Sequence, residues 1–234
     1  MNKSIQAIAK INLKNLKVPY LITGICIGAI VANLIVDIAL AEKGIIVDNI
    51  MVSIGLYFYL LVLLAPIFIP ARNFRRIFNL GGKRSGFFWG SLSVYVLLAV
   101  IVSLLNAVIF YTFEKLIVDN VNGIVGVINL LEVFGWSANG VVIAFFQQFA
   151  FLFWITAFIH TLTAAQDKWY GWAADLMIII ILSVFIPIAP LRKGVVFFFY
   201  MIIFSHPAAQ IASCLILALA IYALNKPIFA RKAM

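Results

Sequence analysis

Polar residues are rare along this chain and come in bunches, and the apolar stretches between the bunches set its architecture. Six such stretches stand out, at about 18–41, 50–70, 86–111, 138–165, 170–189 and 208–224. Each approaches or exceeds the ~20 residues that an α-helix, rising ~1.5 Å per residue, needs to cross a ~30 Å hydrocarbon core. A further run at 195–204, VVFFFYMIIF, reaches only about half that distance. It is predicted to form a re-entrant hairpin within 190–207, turned at Ser205-His206-Pro207.

The first residues follow a different rhythm. At about 100° per residue, Lys3, Lys10, Lys14 and Lys17 fall on one arc, opposite Ile5, Ile8, Ala9 and Leu16, with Asn12 as a polar intruder on the apolar side. Residues 1–17 therefore read as an amphipathic helix on the membrane surface, its lysines reaching anionic headgroups. They run into a span too long for a signal-peptide core, so no cleavable signal is predicted. The expected fold is an all-α membrane protein with one domain over 1–234. It has an N-terminal interfacial helix, six transmembrane helices, and a re-entrant hairpin between spans five and six.

Details within the spans add candidates. Gly24, Gly28 and Ala32 recur every four residues, a small-residue face on which a second helix can pack closely and a candidate dimer interface. Asn33 and Asp37 lie one turn apart near the outer end of the first span, candidates for a substrate path, with Asp37 close enough to the surface to reach water instead. Pro66 and Pro70 close the second, where freed carbonyls can meet water. Gly82, Gly86 and Gly90 make a smooth stripe at the start of the third. The segment 113–137, with Glu114, Asp119 and Glu132, reads as a loop with an interfacial helical piece. Spans four and five carry Gln147, Gln148, His160 and Asp175, polar groups for a substrate path or for gluing helices. His160 and Asp175 flank the turn at 166–168 almost symmetrically, so antiparallel spans place them at similar depth. A proton relay would use such a pair; a neutralising hydrogen bond, or separate exposure to water, is the simpler account. Trp89, Trp136, Trp169 and Trp172 read as interfacial belt residues.

Composition agrees with this pattern: of 234 residues 65% are hydrophobic and 11% charged, and the mean hydropathy is +1.15. The net charge of +9 does not call for nucleic acid, because the positive residues sit in loops as orientation signals. With both termini inside, 13 of the 17 Lys and Arg residues face the cytoplasm. The remaining four, Lys43, Lys115, Arg192 and Lys193, face outward, as do Glu42, Asp48, Glu114, Asp119 and Glu132. The expectation is a multi-pass cell-membrane protein with cytoplasmic termini. Cys26 and Cys214 both fall in apolar spans and read as packed thiols rather than a disulfide.

The densest basic stretch is ARNFRRIFNLGGKRSGFFWG, Ala71 to Gly90, between spans two and three. Its GGKRS at 81–85 invites a phosphate-loop reading. The full GxxxxGK[ST] pattern fails, since Ile77 stands in place of the first glycine and Arg84 follows the lysine. No HExxH pair or GxSxG elbow occurs, and the two histidines, His160 and His206, are far apart. No catalytic residue and no metal site is assigned, and enzymatic activity in this chain is not expected.

The order of features resembles the six-span permease subunits of ABC exporters, the type-two ABC permease superfamily. The matching segments are INLKNLKVPYLITG, RNFRRIFNLGGKRSGFFWGSL, PLRKGVVFFFYMIIFSHPAAQ and YALNKPIFARK. The second resembles the segment between the family's spans two and three, except that Lys83 stands where a small residue is commoner. In that family two permease subunits form the path, and a separate cytoplasmic ATPase, using ATP and Mg, supplies the energy. The resemblance makes 71–85 a coupling loop, with Phe74, Arg75, Arg76, Phe78, Leu80, Gly81, Gly82, Arg84 and Phe87 as ATPase-contact or hinge positions. It implies a homo- or heterodimer exporting a hydrophobic or amphiphilic substrate, a peptide among the candidates, with no cofactor in this chain. Two other readings stay open: a membrane partner or immunity protein that sequesters a ligand, and an ion-coupled carrier using His160 and Asp175.

Overall fold

The computed structural model describes residues 3–43, 49–120, 124–166 and 168–231. Asp48, Asp167 and Lys232, which enter the charge pattern above, lie outside the described residues. The chain is an all-α membrane protein in its main lines. Among the described residues, five helices are long and apolar enough to cross a bilayer, and a bent helix pair makes a sixth if it counts as one span.

Helix α1 (Lys3–Lys14) turns its lysines out and buries Ile8 and Asn12. It rests on α5 rather than on lipid alone: Ile8 sits where side chains at Gly86 and Gly90 would otherwise stand. A Cβ at Gly90 would lie 2.8 Å from Ile8 Cγ2, and one at Gly86 2.9 Å from Ile8 Cδ1. The glycine stripe is thus the seat of α1. Helix α2 (Lys17–Glu42) packs against α3. Gly24, Gly28 and Ala32 face away from the rest of the chain, and a Cβ at either glycine would meet nothing within 4 Å.

A parallel two-stranded sheet, unforeseen from the sequence, precedes the second span. Strand β1 (Asn49–Val52) pairs with β2 (Ile124–Ile128), with an irregularity in register between Asn49 and Ile50. Ile and Val are frequent in both and suit the extended, pleated backbone. The first residues assigned to span two are therefore strand, and the helix starts at Ile54.

Helix α3 (Ile54–Phe68) runs into a wide π turn, Ile69–Asn73, and then the short α4 (Phe74–Asn79). Pro70 lacks the N–H needed for an ordinary helical bond, which fits a local widening of the helix. After a turn, α5 (Arg84–Val108) crosses back, passes through a second π turn, Ile109–Glu114, and ends in α6 (Lys115–Asn120). Beyond β2 come a one-turn α7 (Leu130–Val133) and a 3₁₀ turn, Trp136–Asn139. Helix α8 (Val141–Ala165) is the central span, packed on α3, α5 and α11.

Helix α9 (Trp169–Ile180) continues through the π turn Ile181–Phe185 and then breaks. The chain bends by 120° into α10 (Ala189–Ile203). Pro187 and Pro190 bracket this break, where proline disfavours continued helix. The apolar run at 195–204 is therefore the later part of a 15-residue helix, and the chain turns after it at Ser205-His206; the bent pair fits either a broken span or a re-entrant loop. Helices α11 (Pro207–Ala223) and α12 (Asn225–Arg231) complete the described chain.

The main core joins Tyr59, Val62 and Ala65 of α3, Tyr95, Ala99 and Val102 of α5, Leu152 and Ala157 of α8, and Ala218 and Tyr222 of α11. Small residues let these backbones approach, so that packing contacts hold the bundle together in an apolar solvent. Trp136 was expected at the membrane interface. It is buried instead, packed against Phe134 and Phe151, with its Nε1–H donating to the Ile203 carbonyl at 2.8 Å. Trp89, Trp169 and Trp172 are exposed.

Candidate functional site

Two polar constellations punctuate the apolar bundle. The first is the basic elbow formed by the π turn, α4 and the start of α5. A glycine is needed at its corner: Gly81 adopts φ +78°, a left-handed conformation that side chains with a Cβ adopt only at a cost. The Gly82 N–H donates to the Ile77 carbonyl at 2.9 Å and the Gly81 N–H to the Phe78 carbonyl at 2.9 Å, which closes the end of α4.

The inner side of the elbow is fastened at several points. Phe74 stacks on Phe229 with centroids 5.1 Å apart and meets Phe87 edge-on at 5.2 Å; Phe87 meets Phe229 edge-on at 5.2 Å. Asn12 of α1 donates to Ser91 Oγ at 3.3 Å and accepts from Asn73 Nδ2 at 3.1 Å, so the polar intruder of the amphipathic helix is its clamp. Arg76, itself exposed, reaches back from the outer side to donate to Asn15 Oδ1 at 3.3 Å. Arg84 donates to the Ala230 carbonyl, and its guanidinium lies over the Phe78 ring at 5.2 Å.

The outer side is different. Arg72, Arg75, Lys83 and Gly81 are exposed, and Leu80 is 72% exposed, a large apolar side chain at the tip. Among the nine positions that the resemblance implied, Phe74 and Phe87 are thus buried supports. Phe78, Gly82 and Arg84 are half-buried, and Arg75, Arg76, Leu80 and Gly81 form the outward surface.

The second constellation lies at the other end of α3 and was missed in the sequence. Glu114, expected to face outward in a loop, is fully buried. The reason is that α5 continues without a loop through its π turn and delivers the carboxylate to the start of α3. There the first N–H groups of a helix lack intrahelical partners and a negative charge is stabilised. Ser53 Oγ donates to Glu114 Oε1 at 2.6 Å, and Asn129 Nδ2 donates to Oε2 at 3.2 Å. The backbone N–H groups of Ile54 and Gly55 also donate to it.

The network continues inward. Asn129 donates to Asn106 Oδ1 at 2.9 Å, Asn106 donates to Gln148 Oε1 at 3.2 Å, and Gln148 donates to Tyr59 Oη at 2.8 Å. Glu114 borders a cavity of about 350 Å³ that Lys115, Asp119 and Glu132 also line. Gln148, a polar group within the fourth span, was the legible trace of this cluster; Asn106, alone within the apolar run 86–111, was a second signal left unread.

The remaining candidates separate. Gln148 belongs to the buried network, whereas Gln147 accepts from Asn139 Nδ2 at 3.0 Å. His160 Nδ1 and Tyr95 Oη are 2.6 Å apart, while Asp175 Oδ2 accepts from Gln166 Nε2 at 2.7 Å. The two proposed relay residues therefore have different partners, His160 meeting Tyr95 and Asp175 meeting Gln166. Asn33 donates to Asp37 Oδ2 at 3.1 Å at the rim of a cavity of about 220 Å³ between α2 and the start of α3. Cys26 and Cys214 are free thiols, and Cys214 Sγ is 3.5 Å from the Ile202 carbonyl. Among the described residues no group of three or more His, Cys, Asp or Glu side chains could hold a metal ion. Comparison with protein families, curated proteins and solved structures gave no match.

Proposed function

We propose that this chain is the membrane-spanning subunit of an ATP-driven exporter of the type-two ABC permease class, coupled to a separate cytoplasmic ATPase. The observation that carries it is the elbow. Its exposed tip, with Arg75, Arg76, Leu80 and Gly81, combines cations with one large apolar side chain, the mixture that protein interfaces favour. Its inner side is tied to α1, α5 and the segment around Phe229 and Ala230, so a push on the tip would move these elements together.

The topology is six spans with both termini cytoplasmic. Helices α1 and α12 meet the start of α5 at the basic end of the bundle. Five long helices leave an odd number of crossings between them, and the bent pair α9–α10 provides the sixth. The positive-inside rule makes that basic end cytoplasmic. Two such subunits associate, with the open Gly24, Gly28 and Ala32 face as the candidate contact, and the cargo is hydrophobic or amphiphilic, a peptide among the candidates.

The test is purification from native membranes in mild detergent. The exporter account expects an ATPase subunit carrying Walker motifs to accompany the protein, and expects Arg75→Glu with Leu80→Asp to release it. Purification without any ATPase, while the protein still protects cells by binding its ligand, would favour a sequestering partner protein.

A further inference from the structure

A cleft of about 290 Å³ opens beside the elbow, between the start of α5 and α12. Arg84, Ser85 and Lys226 line its polar side, and Phe88, Trp89 and Phe229 its apolar side. Ser85 and Lys226 are exposed. Arg84 is held against Ala230 and Phe78 and brings its charge to the wall. Lys83, at the N-cap of α5, supplies no capping side chain, so the helix also presents backbone N–H groups and the positive end of its dipole here. Two cations, a hydroxyl and a helix start thus surround one small space, which is complementary to a phosphoryl group.

The apolar side identifies the source of that phosphoryl group. Trp89 is 52% exposed, and the exposed side chains Leu97, Ile101, Leu104 and Val108 follow it along α5 at helical spacing. In a bilayer such an exposed apolar stripe would face hydrocarbon, with Trp89 at its cleft end. A headgroup bound there has its acyl chains already aligned with a lipid-facing surface. A soluble phosphate would gain nothing from Phe88 and Trp89.

We propose that the cleft between the start of α5 and α12 binds the phosphoryl headgroup of an anionic phospholipid. Basic recesses between spans at the cytoplasmic face are suited to such headgroups, each cation contributing about 1 kcal/mol, or about fivefold in affinity. The lipid would rest on α12 and the first turn of α5 together. It would thereby brace the two elements that hold the elbow from behind. The proposal does not depend on the exporter reading, since its readout needs no ATPase.

The experiment is native mass spectrometry of the purified full chain in a neutral detergent. Phosphatidylglycerol and phosphatidylcholine with identical acyl chains are supplied at equal concentration. Selective retention of phosphatidylglycerol is expected. Lys226→Gln should lower it about fivefold, Lys226→Arg should preserve it, and Ser85→Ala should weaken it. Lys83→Gln, which removes the same charge from an exposed position outside the cleft, should leave it unchanged. Equal retention of the two lipids would overturn the proposal. So would equal losses in Lys226→Gln and Lys83→Gln, which would mean diffuse attraction to a positive surface. Displacement of the lipid by millimolar glycerol phosphate would show a site for soluble phosphate and would also refute it. Lys226 is exposed, and wild-type thermal unfolding of its variants separates lost binding from lost folding.

Discussion

Replacing Asn12 by Leu tests how the N-terminal helix is attached. Leu has a similar volume, so the change removes hydrogen bonds without opening a cavity. Asn12 is fully buried, and so is Ser91; Asn73 is 2% exposed. The variant therefore leaves the Ser91 hydroxyl and the Asn73 amide buried and facing an apolar side chain. Each buried polar group left unsatisfied costs about 1–3 kcal/mol. The two together should lower the opening free energy of α1 by about 2–6 kcal/mol, which is at least about 30-fold in amide exchange rate. The assay is hydrogen–deuterium exchange of peptides covering residues 3–14 in lipid nanodiscs, with Lys10→Gln, an exposed change, as the control. Protection should collapse in α1 and weaken in the 73–79 segment, while the centre of α8 keeps its protection. Wild-type exchange in α1 of the Asn12 variant would refute this reasoning. The seat of Ile8 on Gly86 and Gly90, or lipid alone, would then be what holds the helix.

Two further changes address the other elements. Glu114→Ala removes the shared acceptor of Ser53, Asn129 and the first N–H groups of α3. It should destabilise the protein by about 3 kcal/mol or more, read as a lowered thermal midpoint in detergent, whereas Glu132→Ala, at an exposed position, should change it little. Gly81→Val forces a β-branched residue into a left-handed conformation at a cost of about 1–2 kcal/mol; its effect should appear as faster exchange around residues 78–84 with α8 unaffected.

The legible part of the structure was the part written in long apolar runs. Span positions, the amphipathic α1 and the basic corner at Gly81 all follow from residue type and local spacing. The buried polar network did not, because its members come from separated places: Ser53 and Tyr59, Asn106, Glu114, Asn129 and Gln148. Nothing local distinguishes Glu114 from Asp119 five residues later. What separates them is that α5 runs on past its apolar section and carries the first to the start of α3. Asn12 likewise looked like a flaw in an apolar face until Ser91 and Asn73 were placed beside it. The parallel pairing of β1 with β2 escaped notice because each strand is only four or five residues long. The symmetric placement of His160 and Asp175 suggested a pair, but side-chain direction on each helix, which sequence spacing leaves open, gave them to Tyr95 and Gln166 instead.

The claim on which the functional account stands is that the outward tip of the elbow meets an ATPase. A photoactivatable residue in place of Leu80, the most exposed apolar side chain of the tip, tests it directly in native membranes. The expected product is a crosslink between this chain and a subunit carrying Walker motifs, strengthened or weakened by nucleotide and not seen from position 196 on α10. Crosslinks from position 80 to lipid alone, under conditions where the protein remains active, would contradict the account.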